Sequence, residues 1–356
     1  MLRREANLTN VTDRTPAAAA APVRRRVPTF DSHRLGVWIL NAGLLCFLAI
    51  ATPNFFNIAN LQAVLNDASI LGIGAAAMTL LIMAGAFDLS VSSTMGLAPV
   101  LALSLFGNSY GPLIMLASVL VGGLLGLVNG LVITRGNVAP FVATLGTLFA
   151  YGSLGAIATG GNTVFVTSPF LLELSTGTLV GTVPYSFLIL LVICGMCSFM
   201  LQRLHIGRWI RAAGSNIRAA HVSGIDLQWV YLVLFTLTGA VTGLAGIILS
   251  GYLASAIVSQ APNYNLSAIS AVVVGGTSLR GGQGSLVGTL SAAWLFAMVN
   301  NGLILCGVDS YWQYLAIGVV LVAALTLGAM VDSVRGWRAA IRPPADRPMI
   351  PRPSGD

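Results

Sequence analysis

Long apolar runs separated by short polar segments dominate the chain. The runs cover roughly residues 35–51, 59–83, 88–106, 111–133, 139–158, 184–202, 228–250, 266–280, 285–305 and 310–331. Most of them are close to the length of about 20 residues that a helix needs to cross a hydrocarbon core of about 30 Å. They lack the alternating polarity of transmembrane β-strands. The pattern therefore predicts an all-α polytopic membrane protein with about ten transmembrane helices.

The composition supports this prediction and gives the chain an orientation. Of its residues 56% are hydrophobic and 8% charged, whereas soluble domains contain about 25% charged residues. All 18 basic residues are Arg, and they lie near the two termini or at the ends of apolar runs. Since cytoplasmic loops of membrane proteins are rich in basic residues, ten spans with both termini in the cytoplasm place every Arg on that side. Topology thus explains the net charge of +7, and no nucleic-acid partner is expected.

The chain divides into three segments. Residues 1–34 are rich in Ala and Arg and contain no apolar run, so we expect a disordered cytoplasmic tail rather than a signal peptide. Residues 35–331 form the transmembrane domain, and residues 332–356 form a second cytoplasmic tail.

Two of the predicted spans are interrupted by glycine-rich sequence. One interruption is GAFDLSVSS, from Gly85 to Ser93, and the other is GGTSLRGGQGS, from Gly275 to Ser285. Transporters use short, glycine-interrupted spans where backbone lines a passage. The sequence therefore predicts that some of the helices are broken or re-entrant.

A polar island between two apolar runs, residues 204–226, is the strongest candidate for a contact with a soluble partner. Ser215 or Asn216 can cap a short helix, and Gly224 can end it in a left-handed turn. That helix would present Arg218 and His221 beside small alanines. The alternative is an ordinary arginine-rich cytoplasmic loop. The candidate partner-contact residues are Gly207, Arg208, Arg211, Gly214, Asn216, Arg218, Ala219, Ala220, Ser223 and Gly224.

Polar residues within the apolar runs are candidates for a translocation path or gate. Asp88 either caps the following helix by accepting from the amides of Ser90 and Val91 or contacts solute. Asp67 lies early in its run, within a turn or two of the outer edge, where an interfacial position competes with solute contact. The uncharged groups could bind a hydroxyl-rich solute or join neighbouring helices. The candidates are Asn66, Asp67, Asp88, Ser90, Asn129, Thr144, Thr147, Gly276, Thr277, Asn300 and Asn301.

The sequence lacks the motifs of enzymes and of nucleotide hydrolysis. It contains no G-x-x-x-x-G-K-[ST] loop and no H-E-x-x-H, and no catalytic residue, metal or cofactor is expected. Cys194 and Cys197 form a C-x-x-C pair, but without polar or basic neighbours they are read as core residues. Because ionisable residues in mid-span are scarce, the energy for transport is expected to come from elsewhere.

Several motifs in order resemble permease subunits of bacterial ATP-binding-cassette importers for monosaccharides of the ribose, xylose and arabinose type. The resemblance runs from about Phe55 to Val331. The motifs are GAFDLSVSS at Gly85, NGLVIT at Asn129, APFVATLGT at Ala139, GRWIRAAGSNIRAAHVSGI at Gly207, GGTSLRGGQGSLVGT at Gly275, NNGLILCGV at Asn300 and SYWQ at Ser310. Ala86 and Ser92 stand where family members commonly have Gly, and His221 stands where Arg is frequent.

The resemblance implies a multi-pass protein of the bacterial inner membrane that works with three kinds of partner. These are a second permease subunit, commonly an identical one, a pair of cytoplasmic ATPase subunits and a periplasmic sugar-binding protein. It also implies that Gly207–Ile225 is the coupling segment gripped by the ATPase, and that the segments near Asp88 and Gly276–Gly284 border the path or its cytoplasmic gate.

The sequence is therefore interpreted as a permease that imports a monosaccharide or related polyol by alternating access. Three alternatives remain open at this point. An ion-coupled secondary transporter would depend on Asp67 or Asp88. A passive channel would show rings of like residues, which the broken spans lack. A related permease could carry branched-chain amino acids, nucleosides or a quorum signal.

Overall fold

A computed structural model describes residues 32–309 and seven isolated positions between 311 and 326. The side chains of residues 32–35 are not described. Residues 1–31 of the predicted tail 1–34, the predicted tail 332–356 and most of the span at 310–331 lie outside the described residues.

Apolar helices account for most of the described chain. Within residues 32–309 the helices are α1 (Ser32–Ala51), α2 (Ile58–Met83), α3 (Val91–Phe106), α4 (Gly111–Thr134), α5 (Pro140–Thr159), α6 (Pro169–Thr176), α7 (Tyr185–Arg203), α8 (His205–Ser215), α9 (Ile217–Val222), α10 (Leu227–Tyr252), α11 (Tyr264–Val274) and α12 (Leu286–Leu305). Two antiparallel strand pairs join β1 (Val164–Phe165) to β4 (Ser255–Ala256) and β2 (Thr178–Leu179) to β3 (Val183–Pro184).

Six helices in the described residues are long and apolar enough to cross a membrane, namely α2, α4, α5, α7, α10 and α12. Three more apolar helices are shorter, at Gly36–Ala51, in α3 and in α11. The prediction of a polytopic helical membrane protein is confirmed at this level. The structure adds α6 and both strand pairs, which the apolar pattern does not predict because they are short and lie between the runs.

Helix α2 forms the centre of the molecule, and most of its second half is buried on all sides. It packs against α7, α10, α11 and α12. A helix that is apolar around its whole circumference has no face suited to water, so its position at the centre follows from its sequence.

Helices α4 and α10 approach each other along a line of small residues. A side chain at Gly239 would overlap the carbonyl oxygen of Gly122, and one at Gly126 would overlap the carbonyl oxygen of Phe235. The Ser118 hydroxyl donates to the carbonyl oxygen of Gly243 at 2.8 Å. In a membrane, where lipid removes the hydrophobic drive between helices, such close backbone packing and interhelical hydrogen bonds hold the helices together.

Both predicted interruptions lie at one end of the molecule, where α2 ends and α8 lies, and we call it the α8 end. The first is a buried turn between α2 and α3, in which Ala84, Ala86 and Asp88 are at most 1% exposed. The second connects α11 to α12 and donates from the Gly282 amide to the carbonyl oxygen of Met83 at 2.8 Å. This hydrogen bond holds the α11–α12 loop beside the end of α2, where the first interruption begins.

The half-length helix α11 begins deep inside the molecule. The Tyr264 hydroxyl at its start donates to the carbonyl oxygen of Ile70, close to the middle of α2, at 2.8 Å. The 11 residues of α11 rise about 16 Å, roughly half of a hydrocarbon core. Irregular backbone at residues 257–263 therefore lies at about half the depth of the helical bundle, a feature that the apolar pattern does not predict.

Candidate functional site

Helix α8 is an amphipathic helix that connects the end of α7 to the short helix α9. Ile206, Ile210 and Ala213 lie at helical spacing and are buried, whereas His205 and Arg208 are exposed. One face of α8 therefore packs on the ends of the long helices and the other is open to solvent.

Helix α9 is capped as the sequence predicts. The Asn216 side chain accepts from the Ala219 amide at 3.0 Å. Gly224 has a φ of 78°, the left-handed conformation that ends helices and that residues other than glycine rarely adopt. The predicted helix and both of its ends are thus confirmed.

The surface of α9 is uncovered. Ile217 is 52% exposed and Val222 is 86% exposed, and Arg218 and His221 are exposed beside them. Ala219 and Ser223 are exposed too, whereas Ala220 is buried. Exposed apolar residues combined with arginine are typical of protein–protein contacts.

The three arginines of α8 and α9 have different environments. Arg211 donates from Nη2 to the carbonyl oxygen of Leu201 at 2.9 Å, which ties α8 to the end of α7. Arg208 Nη2 lies 2.6 Å from His205 Nδ1. Among the described residues, the exposed Arg218 has no hydrogen-bonding or ionic partner for its guanidinium. Arg218 is therefore the cation of this group that is open to a partner.

The end of α8 packs closely against both interruptions, with backbone against backbone at Gly214. A side chain at Gly214 would overlap the carbonyl oxygen of Met83 and the amide of Gly282, and would lie 3.0 Å from the Cα of Gly281. Gly281 and Gly282 have φ values of 82° and 77°. We call these four residues the glycine junction. Any displacement of α8 acts at the junction on the α2–α3 turn and on the α11–α12 loop together.

Asp88, Ser90, Asn129 and Tyr151 form a buried polar cluster close to the α8 end. Asp88 Oδ1 accepts from the amide of Ser90 at 2.8 Å and from its hydroxyl at 2.6 Å. Asn129 Nδ2 donates to Ser90 Oγ at 2.8 Å, and Tyr151 donates to Asn129 Oδ1 at 3.2 Å. The cluster joins the α2–α3 turn to α4 and α5, so these residues act together as a structural network.

The expectation that Asp88 caps α3 is partly wrong. The N-cap residue is Ser90, and within the described chain the donors to Asp88 are Ser90 and Asn129. The amide of Val91 is not among them. The reason is that α3 starts two residues later than a cap at Asp88 would require, so the carboxylate closes a tight turn around Ser90 instead.

The remaining predicted path residues are dispersed through the fold. Asn66 joins α2 to Ser175 and Ser186, and Asn301 exchanges hydrogen bonds with Asn60. Thr144 and Thr147 donate to carbonyl oxygens of their own helix. The other residues take varied positions. Thr277 is buried and accepts from Ser285, Gly276 is exposed with a φ of 87°, and Asp67 and Asn300 are half-buried.

A cavity of about 730 Å³ opens between α3, α5 and the irregular segment before α11. None of the predicted path residues lines it. Its polar lining includes Ser92 and Ser93 at the start of α3, Ser153 of α5, and Ser259, Asn263 and Asn265. The volume falls within the range of about 300–1,000 Å³ typical of small-molecule sites.

Sequence analysis missed most of these cavity residues because two of the walls are not recognisable from the apolar pattern. Residues 257–263 look like an outer loop, and Ser153 is one polar residue in an apolar run. One available signal was the cluster of Ser, Pro and Asn before the short apolar run 266–280, since a run too short to cross a membrane marks a discontinuous span.

The comparisons with known proteins agree with the geometry. Residues 60–325 match the model of a family described as the permease component of the branched-chain amino acid transport system. The ribose import permease protein of Escherichia coli K12 is 36% identical over 79% of this chain and 89% of its own length. No solved structure matches the chain.

Two further relatives extend the comparison. The ribose import permease protein of Bacillus subtilis is 34% identical over 82% of this chain and 90% of its own length. The L-arabinose transporter permease protein of Azospirillum brasilense is 29% identical over 88% of this chain and 93% of its own length. These relatives confirm the resemblance to permeases of monosaccharide importers. The chain therefore belongs to this family of transport-system permease components, with helices suited to a multi-pass membrane protein.

Proposed function

We propose that the chain is the permease subunit of an ATP-binding-cassette importer that moves a monosaccharide or related polyol across the bacterial inner membrane. The observation that carries the proposal is the contact of the uncovered α8–α9 segment with both interruptions through the glycine junction. A transporter that is driven by a separate ATPase subunit needs an exposed segment for that subunit to contact. This segment must also be joined rigidly to the membrane-spanning helices.

In the proposed topology about ten spans cross the membrane, and the α8 end and both termini are cytoplasmic. Helices α2, α4, α7 and α11 run towards the α8 end, and α3, α5 and α10 start there. The described arginines at 135, 203, 208, 211, 218 and 280 consequently all lie at this end. The positive-inside rule supports a cytoplasmic position for it.

The proposed assembly contains two permease subunits, commonly identical, two cytoplasmic ATPase subunits and a periplasmic sugar-binding protein. Family membership supports the ATPase and binding-protein partners. The exposed Ile217, Arg218 and Val222 support α9 as the surface that the ATPase contacts. Closure of the two ATPase subunits on ATP would draw the two α8–α9 segments together, and the glycine junction would pass that movement to the helices around the cavity.

A sugar is favoured over the amino acid in the family description for two reasons. Three relatives, at 36%, 34% and 29% identity, are named for ribose or arabinose. In addition, no charged side chain lines the cavity, whereas a zwitterion that leaves water needs compensating charges.

The proposal is tested by reversing the charge at Arg218. Arg218→Glu should abolish sugar uptake by the complex reconstituted with its ATPase and binding protein, because the exposed guanidinium is open to an acidic partner. Membrane insertion and the thermal stability of the purified subunit should stay unchanged, since Arg218 holds no other described residue. Uptake of labelled sugar, ATP hydrolysis and co-purification of the ATPase are measured together.

The matched control is Arg135→Glu, the same charge change at an exposed residue at the end of α4. This variant should keep normal uptake. Arg211→Glu is unsuitable as the test because Arg211 ties α8 to α7 and its loss would disturb the fold. Normal uptake by Arg218→Glu would contradict the role of α9 in coupling.

A further inference from the structure

Five polar side chains around the cavity have no hydrogen-bond partner within the described part of the chain. They are Ser92, Ser153, Thr163, Ser259 and Asn263. Ser92 is half-buried and the other four are exposed, so their hydroxyl and amide groups are open to the cavity. These side chains therefore line a space suited to a polar occupant.

Several buried hydroxyl groups elsewhere in the spans are satisfied within their own helix. Thr79, Thr144 and Ser250 each donate to the carbonyl oxygen four residues earlier, the usual way in which a hydroxyl is satisfied within an apolar helix. Ser153 lies within α5 and makes no such bond. Its hydroxyl stays available to the cavity.

The lining identifies the chemistry of the occupant. Hydroxyl and amide groups both donate and accept hydrogen bonds, which suits a solute that carries several hydroxyl groups. With no charged side chain in the lining, a carboxylate or an ammonium group would lose its hydration without gaining a counter-charge.

The position of the cavity suits a solute in transit. One wall is the irregular segment that ends at the start of α11, about halfway along α2. The Asn265 side chain pins that wall to the carbonyl oxygen of Leu89 at 3.1 Å, next to the α2–α3 turn. Discontinuous helices of transporters characteristically form their solute sites near the membrane midplane.

We infer that this cavity is the site where the permease holds an uncharged, polyhydroxylated solute during import, and that Ser92, Ser153, Ser259 and Asn263 contact its hydroxyl groups. The inference rests on the proposed function and adds to it a location and a set of contacting residues.

The test uses a cysteine in the cavity wall whose reversible modification blocks the cavity and opens it again. Ser153→Cys is introduced into a chain in which the exposed Cys46 and Cys306 are replaced by Ser, and the complex is reconstituted with its ATPase and binding protein. Benzyl methanethiosulfonate converts the cysteine into a mixed disulfide that fills the cavity, and a reducing thiol removes it. Modification should reduce uptake of labelled ribose or arabinose to background and leave ATP hydrolysis intact, and reduction should restore uptake.

Ser104→Cys in the same background is the matched control, because Ser104 is an exposed residue of α3 that does not line the cavity. Its modification should leave uptake unchanged. Mass spectrometry measures the extent of reaction in both variants.

The possible outcomes separate this inference from the proposed function. Uptake at the unmodified rate after full modification of Ser153→Cys would overturn the inference alone, as would failure of that cysteine to react. Loss of ATP hydrolysis together with uptake would show that modification at Ser153 disturbs the ATPase cycle rather than only filling the cavity. This result would also contradict the inference. If the unmodified complex imported neither sugar, or imported labelled leucine instead, the proposed function would fail and the inference with it.

Discussion

The glycine junction and the cavity use small residues in opposite ways. At the junction, Gly214 is so close to Met83 and Gly282 that no side chain fits. At the cavity, Gly152 has room, since a side chain there would meet only Ser93 Oγ at the ordinary distance of 3.5 Å. One set of small residues removes space between chain segments and the other preserves space.

The difference matches what each region must do. A contact that passes movement from α8 to the interruptions needs backbone against backbone, because flexible side chains between the segments would absorb the displacement. A site that holds a solute needs volume and unpaired polar groups. The comparison therefore predicts that the same substitution, Gly to Ala, has different consequences in the two regions.

The largest effect is expected for Gly214→Ala. The added methyl group would overlap backbone atoms of Met83 and Gly282 and force the junction apart, at a cost of about 1–3 kcal/mol, as for other overpacked sites. Thermal unfolding of the purified subunit should occur at lower temperature, and uptake by the reconstituted complex should be lost. Gly195→Ala serves as the control, since its added methyl group meets nothing within 4 Å. A fully stable and active Gly214→Ala variant would remove the basis for the junction.

A smaller effect of opposite sign on stability is expected for Gly152→Ala. The methyl group fits beside Ser93, and Ala in place of Gly within a helix stabilises by about 0.5–1 kcal/mol. Uptake should nevertheless fall, because the methyl group occupies part of the cavity. Stability is measured by thermal unfolding and uptake with labelled sugar. Gly146→Ala, also in α5 with nothing within 4 Å of its added methyl group, should leave uptake unchanged. A loss of stability in Gly152→Ala would show that the cavity is packed as tightly as the junction.

The smallest effect is expected for Asp67→Asn. Asp67 belongs neither to the glycine junction nor to the lining of the cavity. Uptake should be unchanged, because the proposed transport draws its energy from ATP. An ion-coupled transporter would instead lose uptake, since ionisable groups within spans carry its coupling ions. Asp67 tests this alternative better than Asp88, whose carboxylate holds the α2–α3 turn through Ser90. Uptake is measured with ATP present and again with a proton uncoupler added.

Residue patterns predict much of the helical framework but little of the cavity. Nine apolar helices of residues 32–309 coincide within a few residues with apolar runs, except that α11 ends six residues before its run does. The cap at Asn216 and the left-handed Gly224 are local features, so the sequence predicts them correctly. The exact role of Asp88 was missed because it depends on where α3 begins and on the approach of Asn129 from α4.

The sequence by itself determined the class of the protein, the apolar helices and the exposed arginine-bearing segment, because these depend on hydropathy, charge and capping over short distances. Only the tertiary structure decided that Gly214 meets both interruptions and that Ser92, Ser153 and Asn263 surround one cavity. These residues are distant along the chain, and their proximity arises from how closely neighbouring helices and turns can approach, which no local pattern encodes.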